Sequence, residues 1–411
     1  MEKYWLYLEP FTFVFSKCDK TLIYNSINYK SRLFNNNSRL SEVFIQLSDF
    51  KNLYCIELNE NDKYLIEIQN LIQFIRESYS GDIINSSQIK KPVIIPPFLK
   101  LQNSVSMIKS GNYRSLSEEI FPLLREVFLY VGGNSPCSNL NDIQVFKQFD
   151  YCINENTNYL PFPEFHKLDR LFKQSQLHFI NIVGGNVFSY PFLYSLLSLL
   201  SQFSFMKRIY STYLDIPENI DLYPHLKTPK FILKILVDFP VDYKIINRTV
   251  KYLDSENFYT DFLFAIKSLD EYEESLSIIN MHNIKSYEIK PVYTGRNIDF
   301  FINHVYLSEK DIIKCKINRK GIYLNQVLNN VYFGKLRILP SGQVFSDFNK
   351  QSIGDIDAPL IEMLYNEMGR SISWLNTRDQ EPCNKCVYQW LCPPPSGYEQ
   401  AIGKNNLCSV I

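Results

Sequence analysis

The middle of this chain alternates short apolar runs with amphipathic segments, and this alternation constrains the fold more than any other feature. The apolar runs lie at residues 127–133, 178–185, 208–216, 231–239, 258–266 and 285–293. Helical patterns separate them, for instance at residues 163–174 and 270–282. Strands that are apolar on both faces and separated by helices are typical of a parallel sheet with right-handed crossovers. The sequence therefore predicts an α/β fold with an open, partial (β/α)6-like barrel at residues 96–310.

Residues 1–95 predict a small α+β domain. Runs of aromatic and β-branched residues at 4–8, 11–15 and 21–27 indicate a small sheet. Two helices are expected after it, one that begins after Ser38 or Ser41 and one that runs from Asn61 to Glu77. A proline-rich stretch at residues 92–97 then interrupts the pattern, so we place a domain boundary there.

Four cysteines near the end of the chain form the pattern C-x2-C-x5-C-x15-C, at Cys383, Cys386, Cys392 and Cys408. Thiolates are soft ligands that select zinc or iron–sulfur clusters. Four sulfurs leave no open coordination position, so we predict a structural or electron-relaying metal site, with zinc and a [4Fe-4S] cluster both open. The alternative is that the first three are buried apolar thiols and Cys408 is an unrelated residue. With a predicted hairpin at 334–348 and a predicted helix at 358–374, these cysteines define a third domain at 311–411.

The charge and cysteine composition excludes several classes of protein. Forty-three basic and forty-three acidic residues give a net charge of +0, without the long-range field of a nucleic-acid or anionic-membrane binder. The odd count of nine cysteines and the absence of a signal sequence predict a cytoplasmic protein with free or metal-bound thiols. Residues 179–206 carry no charge, but an internal Gly-Gly-Asn turn and Pro191 divide them into a strand and a helix, so no membrane span is expected.

The hairpin around Gly342, the helix after it and the cysteine spacing resemble the SPASM extension of radical S-adenosylmethionine (radical SAM) peptide-modifying enzymes. In that family the extension holds two auxiliary [4Fe-4S] clusters. The resemblance implies that one cluster site is kept, at Cys383, Cys386, Cys392 and Cys408. For the other site this chain has only Cys315, too far ahead of Gly342, and then Asp347 and Ser396. The resemblance therefore implies that the second site is lost.

The barrel resembles that of the same family but departs from it where the cofactor binds. The family carries C-x3-C-x2-C after the first barrel strand, whereas this chain has Cys137 alone, with Cys152 well beyond, and contains no C-x3-C-x2-C. Two glycine turns would meet the cofactor, and their glycines are Gly132, Gly133, Gly184 and Gly185. Both turns are degenerate relative to the family. In the second, Asn186 stands where the family has glutamate. The alternative for these glycines is tight turns at strand ends. We expect no S-adenosylmethionine to bind and no catalytic residues for radical chemistry.

The combination of a degenerate barrel with the cysteine- and proline-containing ending at residues 391–399 resembles pseudo-radical-SAM proteins. Such proteins accompany true radical SAM maturases in Bacteroidales peptide-maturation systems. This resemblance implies a catalytically inactive partner or scaffold that binds a precursor peptide, an active radical SAM maturase, or both. The N-terminal domain resembles the winged-helix-like domain that holds a precursor's leader, for which β-augmentation is the physical route; the alternative is an ordinary capping subdomain.

Two other functions stay open. One is an electron relay through a single [4Fe-4S] cluster. The other is a non-radical barrel enzyme with a structural metal, for which Asp238 and Glu288 lie on or beside predicted strands but form no recognisable catalytic pair in the sequence.

Overall fold

The computed structural model describes residues 2–99, 123–133, 148–150, 158–161, 165–220, 223–371 and 373–410. Its N-terminal part contains six strands: β1 (Lys3–Leu8), β2 (Thr12–Lys17), β3 (Lys20–Asn25), β4 (Ser31–Asn35), β5 (Cys55–Asn59) and β6 (Gly81–Asn85). They form two antiparallel sheets, with the orders β5-β1-β6 and β2-β3-β4. The prediction of one small sheet was therefore wrong, because its three strands are divided between two sheets.

Three helices accompany these strands: α1 (Ser38–Ser48), α2 (Glu60–Lys63) and α3 (Ile66–Glu77). The Asn37 side chain caps α1, whose apolar face is buried as the sequence predicted. The single helix expected from Asn61 to Glu77 is instead divided in two. Leu65 has extended backbone angles, φ −64° and ψ 132°, so the helix is interrupted there.

The centre of the molecule is a nine-stranded sheet. Its first six strands confirm the predicted ones: β7 (Glu126–Tyr130), β8 (Phe179–Val183), β9 (Met206–Thr212), β10 (Phe231–Asp238), β11 (Thr260–Ile266) and β12 (Tyr287–Pro291). These strands are parallel and lie side by side in chain order. Within the described residues β12 pairs only with β11, so the sheet is open at this edge.

Helices cover the outer face of this sheet: α4 (Phe165–Gln174), α5 (Leu193–Ser201), α6 (Tyr243–Ser255) and α7 (Leu269–His282). Alternate strand residues such as Val127 and Leu129 pack in this outer core, whereas Phe128 and Tyr130 face a second, inner core. The uncharged stretch at 179–206 forms β8 and α5. In the described part of the chain, no helix is long and apolar enough to cross a bilayer.

The predicted hairpin is confirmed, but it extends the central sheet. Three more helices come first: α8 (Ile298–His304), α9 (Glu309–Lys314) and α10 (Arg319–Val327). The last three strands are β13 (Lys335–Ile338), β14 (Gln343–Phe345) and β15 (Gly354–Asp355). Gly342 turns the hairpin at φ +87°, a value that favours glycine. Because β13 pairs in parallel with β7, the hairpin is continuous with the six parallel strands of the central sheet. The division into three domains stays a prediction.

The C-terminal segment is mostly irregular. It begins with α11 (Leu360–Asn366), which a π-helical stretch, Glu367–Ser371, continues, and it contains α12 (Gly397–Ile402). The β2-β3-β4 sheet packs directly on this segment: Phe13, Leu22 and Tyr24 share an apolar cluster with Tyr388 and Leu391. The β2-β3-β4 sheet and the cysteine segment are therefore in direct apolar contact.

Candidate functional site

The first two cysteines of the predicted metal site lie on one tight turn. A 3-10 helix spans Cys383–Lys385, and the amide of Cys386 donates to the carbonyl of Cys383 at 3.0 Å. A second turn follows, in which the amide of Cys392 donates to the carbonyl of Tyr388 at 3.1 Å. Cys408 is brought to the same place by a parallel bridge with Leu307.

All four cysteines line one small cavity of about 20 Å³. Its other walls are largely apolar, and they come from Leu307, Ile312, Leu407, Arg378 and Gln389. Within the described residues, no three His, Cys, Asp or Glu side chains are arranged to hold a metal ion. The structure thus gathers the predicted sulfurs around one space without placing them in ligand geometry, and their role as ligands stays a prediction.

The surroundings of Cys383, Cys386 and Cys392 favour the neutral thiol in the absence of a cation. Burial raises the pKa of Cys386, and it raises the pKa of Cys392 to about 12. Burial also raises the pKa of Cys383, although the nearby Arg378 guanidinium opposes this effect. A soft cation bound among the four sulfurs would supply the charge that stabilises thiolates. In donor chemistry, though not in spacing, the four thiols and their apolar surroundings therefore fit a zinc ion or an iron–sulfur cluster.

A buried ion pair adjoins the cavity. Arg378 Nη2 lies 2.7 Å from Glu399 Oε1, and the two side chains are only 7% and 4% exposed. Arg378 also donates to Cys383 Sγ at 3.6 Å and to the carbonyls of Asn405, at 3.3 Å, and Pro393. One guanidinium thus connects three stretches of the cysteine segment. Sequence reasoning missed both partners, because neither belongs to a recognisable motif.

Close packing of the chain's own backbone accounts for the glycine turns. Gly132 and Gly133 have φ values of +84° and +100°. A Cβ on Gly132 would lie 2.0 Å from the carbonyl oxygen of Asn158, and one on Gly184 would lie 2.6 Å from the carbonyl oxygen of Gly132. The amide of Gly185 donates to that same Gly132 carbonyl at 3.3 Å. These contacts require glycine independently of any cofactor. Cys137 and Cys152 lie outside the described residues.

Asn186, which follows the glycine pair Gly184 and Gly185, makes contacts within the chain. Its Nδ2 donates to Asp215 Oδ1 at 3.3 Å, and its Oδ1 accepts from the amide of Ser189 at 3.2 Å. The side chain thus caps the short 3-10 turn after β8. A carboxamide in this position carries no charge to pair with a cofactor's amino group.

A second cavity, of about 190 Å³, lies against the inner face of the sheet. Arg337 on β13 reaches it; this side chain is 2% exposed, and its Nε lies 2.5 Å from Asp150 Oδ1. Burial opposes ionisation of Asp150, but the Arg337 guanidinium more than offsets this effect and lowers the pKa of that carboxyl. The cavity therefore contains a fixed, compensated charge pair.

The positions that the resemblance assigns to a second cluster are only partly brought together. Asp347 and Ser396 both line the second cavity, whereas Cys315 is exposed at the end of α9. Asp347 accepts from Gln400 Nε2 at 3.1 Å, and Ser396 caps α12. Their polar groups are therefore satisfied by the chain itself.

The two strand carboxylates named from the sequence are both engaged in ion pairs. Asp238 Oδ1 lies 2.6 Å from Lys267 Nζ. Glu288 Oε1 lies 3.3 Å from Lys290 Nζ and is 47% exposed. This arrangement is that of satisfied polar groups and does not form a catalytic carboxylate pair.

The sequence matches no known protein family, and no curated protein matches it. Solved structures do match in three dimensions. The chain has the fold of SuiB from Streptococcus suis bound to precursor peptide SuiA, with a TM-score of 0.50 and 12% identity over 98% of this chain and 97% of SuiB. At this identity the likeness establishes the fold alone, a mixed α/β architecture with a large, mostly parallel central sheet.

Two further structures have lower scores. S. suis SuiB bound to S-adenosylmethionine matches with a TM-score of 0.49 and 11% identity over 98% of each chain. The anSMEcpe structure with bound S-adenosylmethionine and Cp18Cys peptide matches with a TM-score of 0.46 and 11% identity, over 68% of this chain and 95% of that one.

Proposed function

We propose that this chain binds the precursor of a ribosomally synthesised peptide and has no radical activity of its own, acting as partner or scaffold for an active radical SAM maturase. The observation that carries the proposal is the shared fold with SuiB, a protein crystallised with its precursor peptide SuiA. The lack of radical activity rests on the sequence, which contains no C-x3-C-x2-C to hold an open-site cluster. The neutral Asn186, which offers no carboxylate to a cofactor's amino group, supports the same conclusion.

The four C-terminal cysteines are proposed to hold one zinc ion or one [4Fe-4S] cluster. When bound, zinc supplies a structural crosslink, and a cluster supplies in addition a one-electron couple. The residues of this chain that serve the site are the four thiols, together with Arg378, whose positive charge lies beside Cys383. Because β2 and β3 pack on the same segment, a metal there would also stabilise the N-terminal sheet.

We propose that the leader of the precursor adds a strand to β4. The amide of Asn36 donates to the carbonyl of Asp19, and the amide of Asn25 donates to the carbonyl of Lys30. These two bonds show which opposite residue pairs of β3 and β4 are hydrogen-bonded to each other and which are not, because the two kinds alternate along an antiparallel ladder. Arg32 and Phe34 therefore bond to β3, while the backbone groups of Ser31, Leu33 and Asn35 point to the other side. In the described part of the chain no strand pairs with that side, so β4 offers a free edge for β-augmentation.

Purified full-length chain is expected to bind a fluorescein-labelled precursor peptide from its own gene neighbourhood in fluorescence anisotropy. It is also expected to co-elute with the neighbouring radical SAM enzyme in size-exclusion chromatography. With S-adenosylmethionine and a reductant but no partner, it should form no 5′-deoxyadenosine. Failure to bind either the peptide or the enzyme contradicts the proposal, and so does cleavage of S-adenosylmethionine by the chain alone.

The β4 edge can be tested by one substitution. Asn35 is exposed, and its N–H points away from β3, so Asn35→Pro removes a free-edge donor without breaking a ladder bond. We expect Asn35→Pro to weaken binding of the leader peptide about tenfold, because an added strand loses a backbone hydrogen bond and meets the proline ring. The control is Asn35→Ala, which keeps the N–H. Equal affinities of the two variants, at equal melting temperatures, would rule out this edge.

A further inference from the structure

A polar cleft of about 490 Å³ adjoins the cysteine segment and is not used by the metal site. This volume lies within the usual range of ligand pockets. Five carboxamide side chains contribute to its walls: Asn349, Asn376, Gln380, Gln400 and Asn405. A carboxamide offers one acceptor and two donors, as the backbone of a peptide requires from its binding site. The lining thus matches an extended peptide better than an apolar ligand.

The charges around this cleft are unbalanced. The Arg378–Glu399 pair lines it but is internally compensated. Lys350 and Lys404 are exposed at its margin, and neither forms an ion pair with a carboxylate in the part of the chain that the structure describes. The cleft therefore presents two positive charges that no carboxylate of the described residues neutralises, and it is complementary to a ligand with acidic side chains.

The cleft is also connected to the cavity on the inner face of the sheet. Asn349 lines both spaces. The N-cap Ser396 and Gly397 and Tyr398 of α12 line the cavity, whereas Glu399 and Gln400 of the same helix line the cleft. A peptide lying in the cleft would therefore be next to the cavity that contains the Arg337–Asp150 pair.

We propose that this cleft binds an extended peptide segment with acidic side chains, through its carboxamides to the peptide backbone and through Lys350 and Lys404 to the carboxylates. This proposal rests on the proposed function, in which the ligand is a precursor peptide, and it assigns a second contact distinct from the β4 edge. It predicts a preference for glutamate or aspartate in the segment that follows the leader.

The test uses the full-length chain and two fluorescein-labelled octapeptides, one of alternating glutamate and glycine and one with glutamine in place of glutamate. The double variant Lys350→Glu/Lys404→Glu is compared with Lys244→Glu/Lys251→Glu, which makes the same charge change at two exposed lysines on α6. We expect the first variant to bind the acidic peptide at least about tenfold more weakly than the wild type, and the second to bind it equally well.

Equal binding of the acidic peptide by the wild type and Lys350→Glu/Lys404→Glu overturns the assignment, as does equal binding of the acidic and glutamine peptides. Binding of the full precursor peptide is measured as well, because it distinguishes failure of the cleft assignment from failure of the proposed function. A precursor that binds through the β4 edge while the acidic octapeptide ignores the cleft refutes the cleft alone. An octapeptide that binds the cleft while the precursor does not bind refutes the proposed function instead.

Discussion

Serine in place of Cys383 or Cys392 is expected to remove the bound metal and to lower the melting temperature of the chain. Anaerobically purified wild-type protein should contain one zinc ion, or four irons with sulfide, because four thiols line a single buried cavity. Zinc binding to structural thiolate sites contributes about 10–16 kcal/mol at neutral pH. Loss of one sulfur removes much of this energy, and the irregular segment around the site has little regular secondary structure to replace it. Metal analysis and thermal unfolding measure both effects.

Two exposed cysteines provide the matched control. Cys18 and Cys315 do not line the cavity, so Cys18→Ser and Cys315→Ser should retain the metal and the wild-type melting temperature. Equal metal contents in all four variants would refute the site, and so would a wild-type protein without metal. A colourless protein with one zinc ion would eliminate the electron-relay alternative, because zinc has no redox couple.

The central strands could be predicted because a strand that is buried on both faces has apolar residues on both faces, and such a run is easily recognised in a sequence. In β10, Leu233, Ile235 and Val237 face the outer core and Leu236 faces the inner one, so both faces of the strand carry apolar residues, although it also contains the ion-paired Lys234 and Asp238. The N-terminal strands β4, β5 and β6 are five residues each and mix polar with apolar positions. Such short segments carry too little pattern to be recognised, and their division between two sheets depends on tertiary contacts.

Only those parts of the candidate site that have a characteristic spacing of residues could be predicted from the sequence. The C-x2-C pair places two sulfurs on one turn by local geometry, and the sequence identified it. The polar cleft instead combines side chains from three separated stretches, represented by Asn349, Asn376 and Asn405. No period or motif joins these positions, because the tertiary fold alone brings them together.

Methionine in place of Arg378 is expected to cost about 3–5 kcal/mol in the free energy of unfolding, because it leaves Glu399 buried without its partner. Glu399 cannot be rehydrated readily at 4% exposure, and it is held in place by the capping box of α12, in which its Oε2 accepts from the amide of the N-cap Ser396 at 2.9 Å. The double variant Arg378→Met/Glu399→Gln should recover part of the loss. Glutamine removes the uncompensated charge, and its side-chain oxygen still accepts the capping bond.

An exposed ion pair in the same segment is the control for this effect. Lys385 Nζ lies 2.5 Å from Glu381 Oε1, but the two side chains are 62% and 66% exposed. Lys385→Met removes the same unit of charge and should change the free energy of unfolding by no more than about 1 kcal/mol, because water replaces the lost partner. Urea unfolding of the wild type and the three variants, all at the same metal content, gives the comparison. If Arg378→Met lowers the free energy of unfolding no more than Lys385→Met does, the buried pair does not stabilise the cysteine segment. If the double variant is as unstable as Arg378→Met, the loss of stability comes from packing and not from the unpaired carboxylate.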